Sequence, residues 1–305
     1  MHEPVLAEEV VELLAGKGTG VYIDGTLGSG GHSKALLESG EQVLVVGLDR
    51  DPDAIKRTSE RLKGFGDRLH CSNRNFSEMA DAAFEAGFGA VDGVLLDLGV
   101  SSEQLDEGER GFSILRDGPL DMRMGSDSDM TAEELVATAS PEKLAEIFRE
   151  YGEEKRSMVA AKAIIREREN EPIKTTGRLA EVVEKALGGR RGRIHPATRV
   201  FQAIRIFINR ELEVLDEALE AGLNLLAPQG RLAVISYHSL EDRIVKRFMK
   251  EHAGRWESLQ EGGSKWVGKE PVVKLVNKKP ITPGEEELKR NSRARSAKLR
   301  VAERQ

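Results

Sequence analysis

The stretch Val21-Tyr22-Ile23-Asp24-Gly25-Thr26-Leu27-Gly28-Ser29-Gly30-Gly31-His32 passes from a β-branched and aromatic triplet, through an acid, into a cluster of glycines. A short apolar run that ends in glycines reads as a strand turning tightly into a helix, because glycine accepts the backbone angles that such a turn demands. Working outward, Val43-Leu44-Val45-Val46-Gly47-Leu48 ends at Asp49, and Val91-Asp92-Gly93-Val94-Leu95-Leu96 ends at Asp97. Arg68-Leu69-His70-Cys71 is a weaker strand candidate between them. Helical stretches separate these runs, and almost continuously apolar strands alternating with helices are what a parallel sheet covered on both faces requires. The reading is an α/β fold with a Rossmann-like sheet.

After Asp97 the rhythm breaks, since the next convincing strand is Arg231-Leu232-Ala233-Val234-Ile235-Ser236-Tyr237, much farther on than a β-α-β crossover needs. The intervening residues read as an inserted helical domain. Thr131-x-x-Glu134 makes a capping box, Ser140-Pro141 supplies an N-cap and a first-turn proline, and Gly152 is placed to stop that helix. Val200, Ile204, Phe207, Ile208, Leu212, Leu215 and Leu219 recur at helical spacing, as one long amphipathic helix or a bent pair. Pro228-Gln229-Gly230 reads as the turn before the returning strand, and Leu240 to Met249 as a further amphipathic helix. Near the end, Val272 to Val276 and Ala297 to Val301 are suited to pair as an antiparallel edge. The division expected is 1–105 and 211–305 for the sheet domain, with 106–210 as the helical insert.

A glycine turn between strand and helix lets backbone N–H groups approach a nucleotide-like ligand closely, and the helix N-terminus adds a positive dipole. Asp49 follows about twenty residues beyond Gly28 at the end of the second strand, where a carboxylate can accept from both ribose hydroxyls. Asp24 in front of the glycines disfavours a pyrophosphate and suits an ammonium and a sulfonium, which points to S-adenosylmethionine rather than a dinucleotide. Asp97 at the end of the fourth strand faces the crevice where open α/β sheets do their chemistry. It suits a hydrogen bond from an amine, while Ser101 and Ser102 suit either the site or the cap of the next helix. His238, at the end of the fifth strand, is a candidate proton acceptor, and Ser239-x-x-Asp242 a capping pair.

With 305 residues and a formal charge of −6, the chain carries no uniform basic coat, so any polyanion site must be local. The run Gly189-Arg190-Arg191-Gly192-Arg193-Ile194-His195-Pro196-Ala197-Thr198-Arg199 continues to Arg205 and Arg210 without an acid. Lys289-Arg290-Asn291-Ser292-Arg293-Ala294-Arg295 is a second basic stretch. Two such segments on an acidic chain favour a polyanion. Cys71 is the only cysteine, so neither an internal disulfide nor a Cys-x-x-Cys metal knuckle is possible, no metal site is expected, and a reducing cytoplasm fits. No leader or membrane-spanning run is expected either.

Several longer motifs carry a resemblance. They are His2-Glu3-Pro4-Val5-Leu6, Tyr22 to Ser33, Leu95-Leu96-Asp97-Leu98-Gly99-Val100-Ser101-Ser102, and Arg110-Gly111-Phe112-Ser113 leading into Asp117 to Met124. Later come His195-Pro196-Ala197-Thr198-Arg199, Tyr237-His238-Ser239-Leu240-Glu241-Asp242-Arg243 and Asn291 to Ser296. Over essentially its full length the chain resembles the bacterial 16S ribosomal RNA cytosine-N4 methyltransferases, the RsmH or MraW family. The resemblance implies a class I S-adenosylmethionine-dependent methyltransferase, with cofactor contacts at Gly30, Gly31, His32, Asp49, Phe76, Asp97 and Gln104. It implies methyl transfer to N4 of cytidine 1402 of 16S ribosomal RNA in the small-subunit decoding centre.

In that setting Asp97 accepts from N4 or from the cofactor and His238 helps to take the proton. Arg190, Arg191, Arg193, Arg199, Arg293 and Arg295 hold RNA, and the target base must be unpaired or flipped out. The chain departs from the pattern at Tyr237, where members commonly have Phe, and at Thr26, where methyltransferases at large often have Gly. A monomer and a homodimer both remain open. Rival readings are a methyltransferase for another RNA base, a protein or a small molecule; a nicotinamide-dependent oxidoreductase; and a non-catalytic RNA-binding factor that has kept the fold.

Overall fold

A computed structural model describes residues 4–125, 128–190, 192, 195–258, 264–267 and 270–305. The chain divides into two compact units, one of Met1–Gly99 with Leu212–Gln305 and the other of Val100–Glu211. The unit boundaries thus fall at 99/100 and 211/212, a few residues from the 105/106 and 210/211 read from the sequence.

Among the described residues the first unit has nine strands: β1 (Thr19–Asp24), β2 (Gln42–Leu48), β3 (Leu69–Ser72), β4 (Val91–Asp97), β5 (Leu226–Ser236), β6 (Arg255–Ser258), β7 (Ser264–Val267), β8 (Val273–Leu275) and β9 (Lys298–Arg304). Seven of them form one sheet in the order β3-β2-β1-β4-β5-β9-β8. The first five run parallel, while β9 lies antiparallel to β5 and to β8, with Ala233 opposite Val301 and Lys274 opposite Glu303. The antiparallel edge expected from the tail sequence is therefore present, with β9 inserted between β5 and β8. Strands β6 and β7 pair as a separate hairpin that the sequence reading did not anticipate.

Side-chain alternation sends neighbouring residues to opposite faces, so the sheet has two cores. Ile23, Val46, Val94, Leu96, Leu232 and Val234 join one, and Tyr22, Val43, Val45, Leu95, Ala233 and Ile235 the other. Burial on both faces is why the central strands read as continuous apolar runs, each large aliphatic side chain contributing roughly 1.5–3 kcal/mol. Strand order reverses between β1 and β4, which opens a crevice at the carboxyl ends of β1, β2, β4 and β5.

The expected turn Pro228-Gln229-Gly230 lies inside an irregular start of β5. Register with β4 jumps from Val91↔Leu226 to Gly93↔Arg231, and Gln229 sits at φ 66°. Extra residues on the β5 side are absorbed as a bulge, so the ladder passes through the turn instead of starting after it.

The second unit is helical: Ser102–Asp106, Ala132–Thr138, Pro141–Glu150, Ser157–Asn170, Thr176–Ala186 and Thr198–Asn209. Thr131 and Glu134 form the expected capping box, Ser140 Oγ accepts from the Lys143 N–H at 3.1 Å, and Pro141 opens that helix. Leu144, Phe148, Ile164, Leu179, Val183, Val200 and Ile204 make its core. The apolar periodicity from Val200 to Leu219 belongs to a bent pair. It breaks at Arg210, left-handed at φ 50°, before Glu211–Leu225 begins.

Within this unit the buried Asn209 uses all four of its hydrogen-bonding capacities. Its Oδ1 accepts from the Met124 N–H (2.9 Å) and the Ser128 hydroxyl (3.1 Å), and its Nδ2 donates to the Met122 (2.8 Å) and Arg205 (2.9 Å) carbonyls. These bonds pin the irregular stretch around Met122, which is itself left-handed at φ 62°.

Candidate active site

The glycine turn sits where the sequence placed it. Gly28 and Gly30 are left-handed at φ 48° and 67°, and Gly30 caps the helix Gly31–Glu38. A Cβ on Gly30 would lie 2.5 Å from Thr58 Cγ2 and 2.9 Å from Leu62 Cδ1, so neither the backbone angle nor the space tolerates a side chain. Gly25 is as crowded, with Leu96 Cδ2 at 2.6 Å and Phe76 Cβ at 3.1 Å from its would-be Cβ, which places Phe76 beside the turn. Pro4 packs over Gly31 from the amino-terminal segment, whose Leu6 N–H donates to Glu287 Oε1 at 2.8 Å.

Asp24 is buried beneath the turn rather than capping a helix. Its carboxylate accepts from Ser33 Oγ at 2.6 Å and from the Thr26 N–H at 3.2 Å. Burial raises its pKa despite the lowering influence of His32, Ser33 and Thr26. Asp49, just past β2, accepts from the Gly28 N–H (2.8 Å) and the Asp51 N–H (2.9 Å). Burial outweighs those two bonds and pushes its carboxyl up to about 6. The loop and the acid are thus coupled through Gly28, and the Thr58 hydroxyl donates to the Gly28 carbonyl at 2.7 Å.

Asp97, at the end of β4, is held from several sides. Its N–H donates to Thr26 Oγ1 at 2.7 Å, the Tyr237 hydroxyl donates to its Oδ1 at 2.8 Å, and His32 Nε2 lies 3.4 Å from its Oδ2. Tyr237, where family members commonly have Phe, and Thr26, where methyltransferases at large often have Gly, therefore each add a hydrogen bond to this one residue. Burial and then the Asp97 charge hold the Tyr237 phenol well above its ordinary pKa, so it stays a neutral donor. His32 is buried, and its contact with Asp97 is an ion-pair distance without hydrogen-bond alignment.

His238 caps the helix Ser239–Ala253. Its Nδ1 accepts from the Glu241 N–H at 3.4 Å, while Glu241 Oε2 accepts from the N–H groups of His238 (3.2 Å) and Tyr237 (2.8 Å). This replaces the expected Ser239–Asp242 capping pair. Asp242 instead accepts from Arg300 Nε (2.7 Å) and Lys298 Nζ (3.1 Å), which lowers its pKa against the opposing effect of burial. In the helical unit Ser101 and Gln104 form a capping box, so the Gln104 side-chain oxygen is engaged by the Ser101 N–H at 2.9 Å.

Of the basic residues singled out, Arg190 and Arg199 in the helical unit and Arg293 and Arg295 in the sheet unit are exposed. Arg199 also donates to the Glu153 carbonyl at 3.3 Å. Arg191 and Arg193 lie outside the described residues. Arg205, part of the same acid-free run, is committed elsewhere: it pairs with Glu211 through two 2.8 Å hydrogen bonds. Sequence reasoning missed Ser33, Glu241 and Glu287. Ser33 follows His32 by one residue and was legible as a helix-start hydroxyl; the other two act far from their partners in sequence or against an unexpected cap.

A mixed seven-stranded sheet of this order, with a glycine turn after β1 and acids closing β1, β2 and β4, is the Rossmann-like fold of the class I S-adenosylmethionine-dependent methyltransferases. The chain belongs to the MraW methylase family, whose model matches residues 1–305. It is 48% identical over 310 residues to the ribosomal RNA small subunit methyltransferase H of Shewanella baltica, covering 99% of this chain and 97% of that one. It is 46% identical over 306 residues to the protein of the same name from Heliobacterium modesticaldum, covering 99% and 98%. A solved putative methyltransferase from Streptococcus mutans in complex with SAH is similar at TM-score 0.46 and 12% identity, covering 100% of both chains.

The residues present fit S-adenosylmethionine as the methyl donor. The glycine turn is too close-packed for side chains, and the Asp49 carboxylate stands at its edge in the position to meet ribose hydroxyls. Buried acids around His32 suit a cationic ligand. Among the described residues no helix is long and apolar enough to cross a membrane.

Proposed function

We propose that this protein transfers the methyl group of S-adenosylmethionine to N4 of cytidine 1402 of 16S ribosomal RNA, acting in the cytoplasm on the small ribosomal subunit. The observation that carries the proposal is the Asp97 carboxylate at the crevice end of β4, with one oxygen fixed by Tyr237 and the other facing His32. Near-full-length identity of 48% to a protein named for methylating small-subunit RNA supports the substrate class.

In this reading Gly30, Gly31 and His32 at the turn, with Asp49, Phe76, Asp97 and Gln104, hold the cofactor. Bound S-adenosylmethionine supplies an electrophilic methyl on a sulfonium. The cytosine amine is conjugated with its ring, so its lone pair must be turned toward the methyl. Asp97, accepting one amine N–H, does that by orientation and charge. His238 orders the end of β5 through its capping bonds, and thereby the Tyr237 backbone that presents the phenol to Asp97. The helical unit recognises the surrounding RNA by phosphate contacts from Arg190, Arg191, Arg193 and Arg199, supplemented by Arg293 and Arg295.

The test is incubation with labelled S-adenosylmethionine and small subunits lacking the modification, followed by nucleoside mass spectrometry and mapping. Label on N4 of that cytidine is the expected result. Label on protein, or on another base or ring position, overturns the assignment.

A further inference from the structure

His32 is buried, and neither ring nitrogen makes an aligned hydrogen bond among the described residues. The acids around it come from every side: Asp97 on β4, with Nε2 at 3.4 Å, Asp24 on β1, and Glu287 on the helix Glu285–Arg290. Tyr237, from the end of β5, completes the enclosure by fixing Asp97. A buried imidazole that faces a carboxylate at ion-pair distance, with two more carboxylates within electrostatic reach, has a job other than packing. Burial by itself disfavours the imidazolium, yet the Asp97, Asp24 and Glu287 carboxylates outweigh it and the imidazole titrates above its ordinary range.

The charge arithmetic of the reaction gives the job. S-adenosylmethionine carries one more positive charge than S-adenosylhomocysteine, the product left after methyl transfer. A site with the Asp24, Asp49 and Asp97 carboxylates around the turn meets a cation before the reaction and a neutral molecule after it.

We infer that His32 is the proton store of this site: it is protonated while the pocket holds no cation, gives its proton up when the sulfonium enters, and receives the proton released by the target amine through Asp97. The inference rests on the reading of Asp97 as the residue that faces the amine. The step balances. The amine lone pair forms the N–C bond as the S–C bond breaks with its electron pair left on sulfur. The N–H bond then returns its pair to nitrogen, and the proton passes to Asp97 Oδ2 and on to His32 Nε2. The positive charge leaves the sulfonium and reappears on the imidazole, so the net charge of the buried site is unchanged by turnover. The site therefore holds one positive charge among its carboxylates at every stage.

The test is calorimetric titration of the full-length protein with S-adenosylmethionine and, separately, S-adenosylhomocysteine, in buffers of differing ionisation enthalpy, which reads the protons released on binding. Any contribution from Asp49 at the ribose is common to both ligands and cancels in the comparison. The methyl donor is expected to release up to about one proton more than the product, and to lose affinity relative to it by about tenfold per pH unit below the His32 pKa. His32→Gln and His32→Asn erase both effects, with the melting transition as the control for folding. Equal proton counts for the two ligands in the unmodified protein overturn the inference, whatever the variants do. A difference that persists in the variants also overturns it and moves the proton to Asp24 or Asp97. Failure of the unmodified protein to bind either ligand is a different result, because it removes the cofactor site and the inference with it.

Discussion

With Asp49 at the ribose, as proposed, the affinity for the nucleoside part of the cofactor should depend on pH in the window where this carboxyl titrates. The carboxylate accepts from Gly28 and Asp51, but burial wins and lifts its pKa from 3.8 to about 6. That difference corresponds to at most about 3 kcal/mol between the two protonation states. Because the folded carboxyl holds its proton more tightly than the unfolded one, the stability from this group is fully present below its unfolded pKa. It is lost as pH rises through about 6. Ligand binding runs the other way, since only the ionised form accepts from both ribose hydroxyls. At pH 5 roughly a tenth of the carboxyl is ionised, so S-adenosylhomocysteine, used here to leave the sulfonium out, should bind about tenfold more weakly than at pH 8. Asp49→Asn should weaken binding across the whole range and flatten the profile between pH 5 and 7. The assay is calorimetry at half-unit steps, with the melting temperature recorded at each pH. A flat profile in the unmodified protein, or an unchanged slope in Asp49→Asn, refutes the assignment of Asp49 to the ribose.

Asp97→Ala should abolish methyl transfer while leaving the melting transition largely in place; turnover by the folded variant removes Asp97 from the mechanism. Gly30→Ala places a Cβ 2.5 Å from Thr58 Cγ2 at a left-handed angle and should cost about 1–3 kcal/mol. That loss, with weakened cofactor binding, is readable by denaturant titration and calorimetry side by side. Asn209→Leu leaves buried main-chain groups of Met122 and Met124 without their partners and should destabilise the protein by about 2–4 kcal/mol in urea. Reversing Arg190, Arg191 and Arg193 to Glu should weaken RNA binding and reduce its salt dependence without changing cofactor affinity. Equal loss of both indicates misfolding instead.

The sequence by itself determined whatever rests on neighbours along the chain. The apolar runs that became β1, β2, β4 and β5, the glycine turn, the Thr131–Glu134 and Ser140 caps and the acids closing three strands are set by i, i+2 or i, i+3 relations. These survive without knowledge of the fold. Only the tertiary structure decided what those acids do. Asp97 gains its orientation from Tyr237, 140 residues away, and from Thr26, 71 residues away. Leu6 is tied to Glu287 across 281 residues. Ser239 and Asp242 were read by local spacing as a capping pair, yet His238 took the cap with Glu241 and Asp242 was claimed by Lys298 and Arg300 from β9. His32 stood at the edge of the best-read motif and still looked like an ordinary helix-start residue. Its significance comes from three carboxylates gathered around a buried ring by three different elements. Local rules set the strands and caps; which side chains share a buried charge is a property of the crevice that the packed sheet creates.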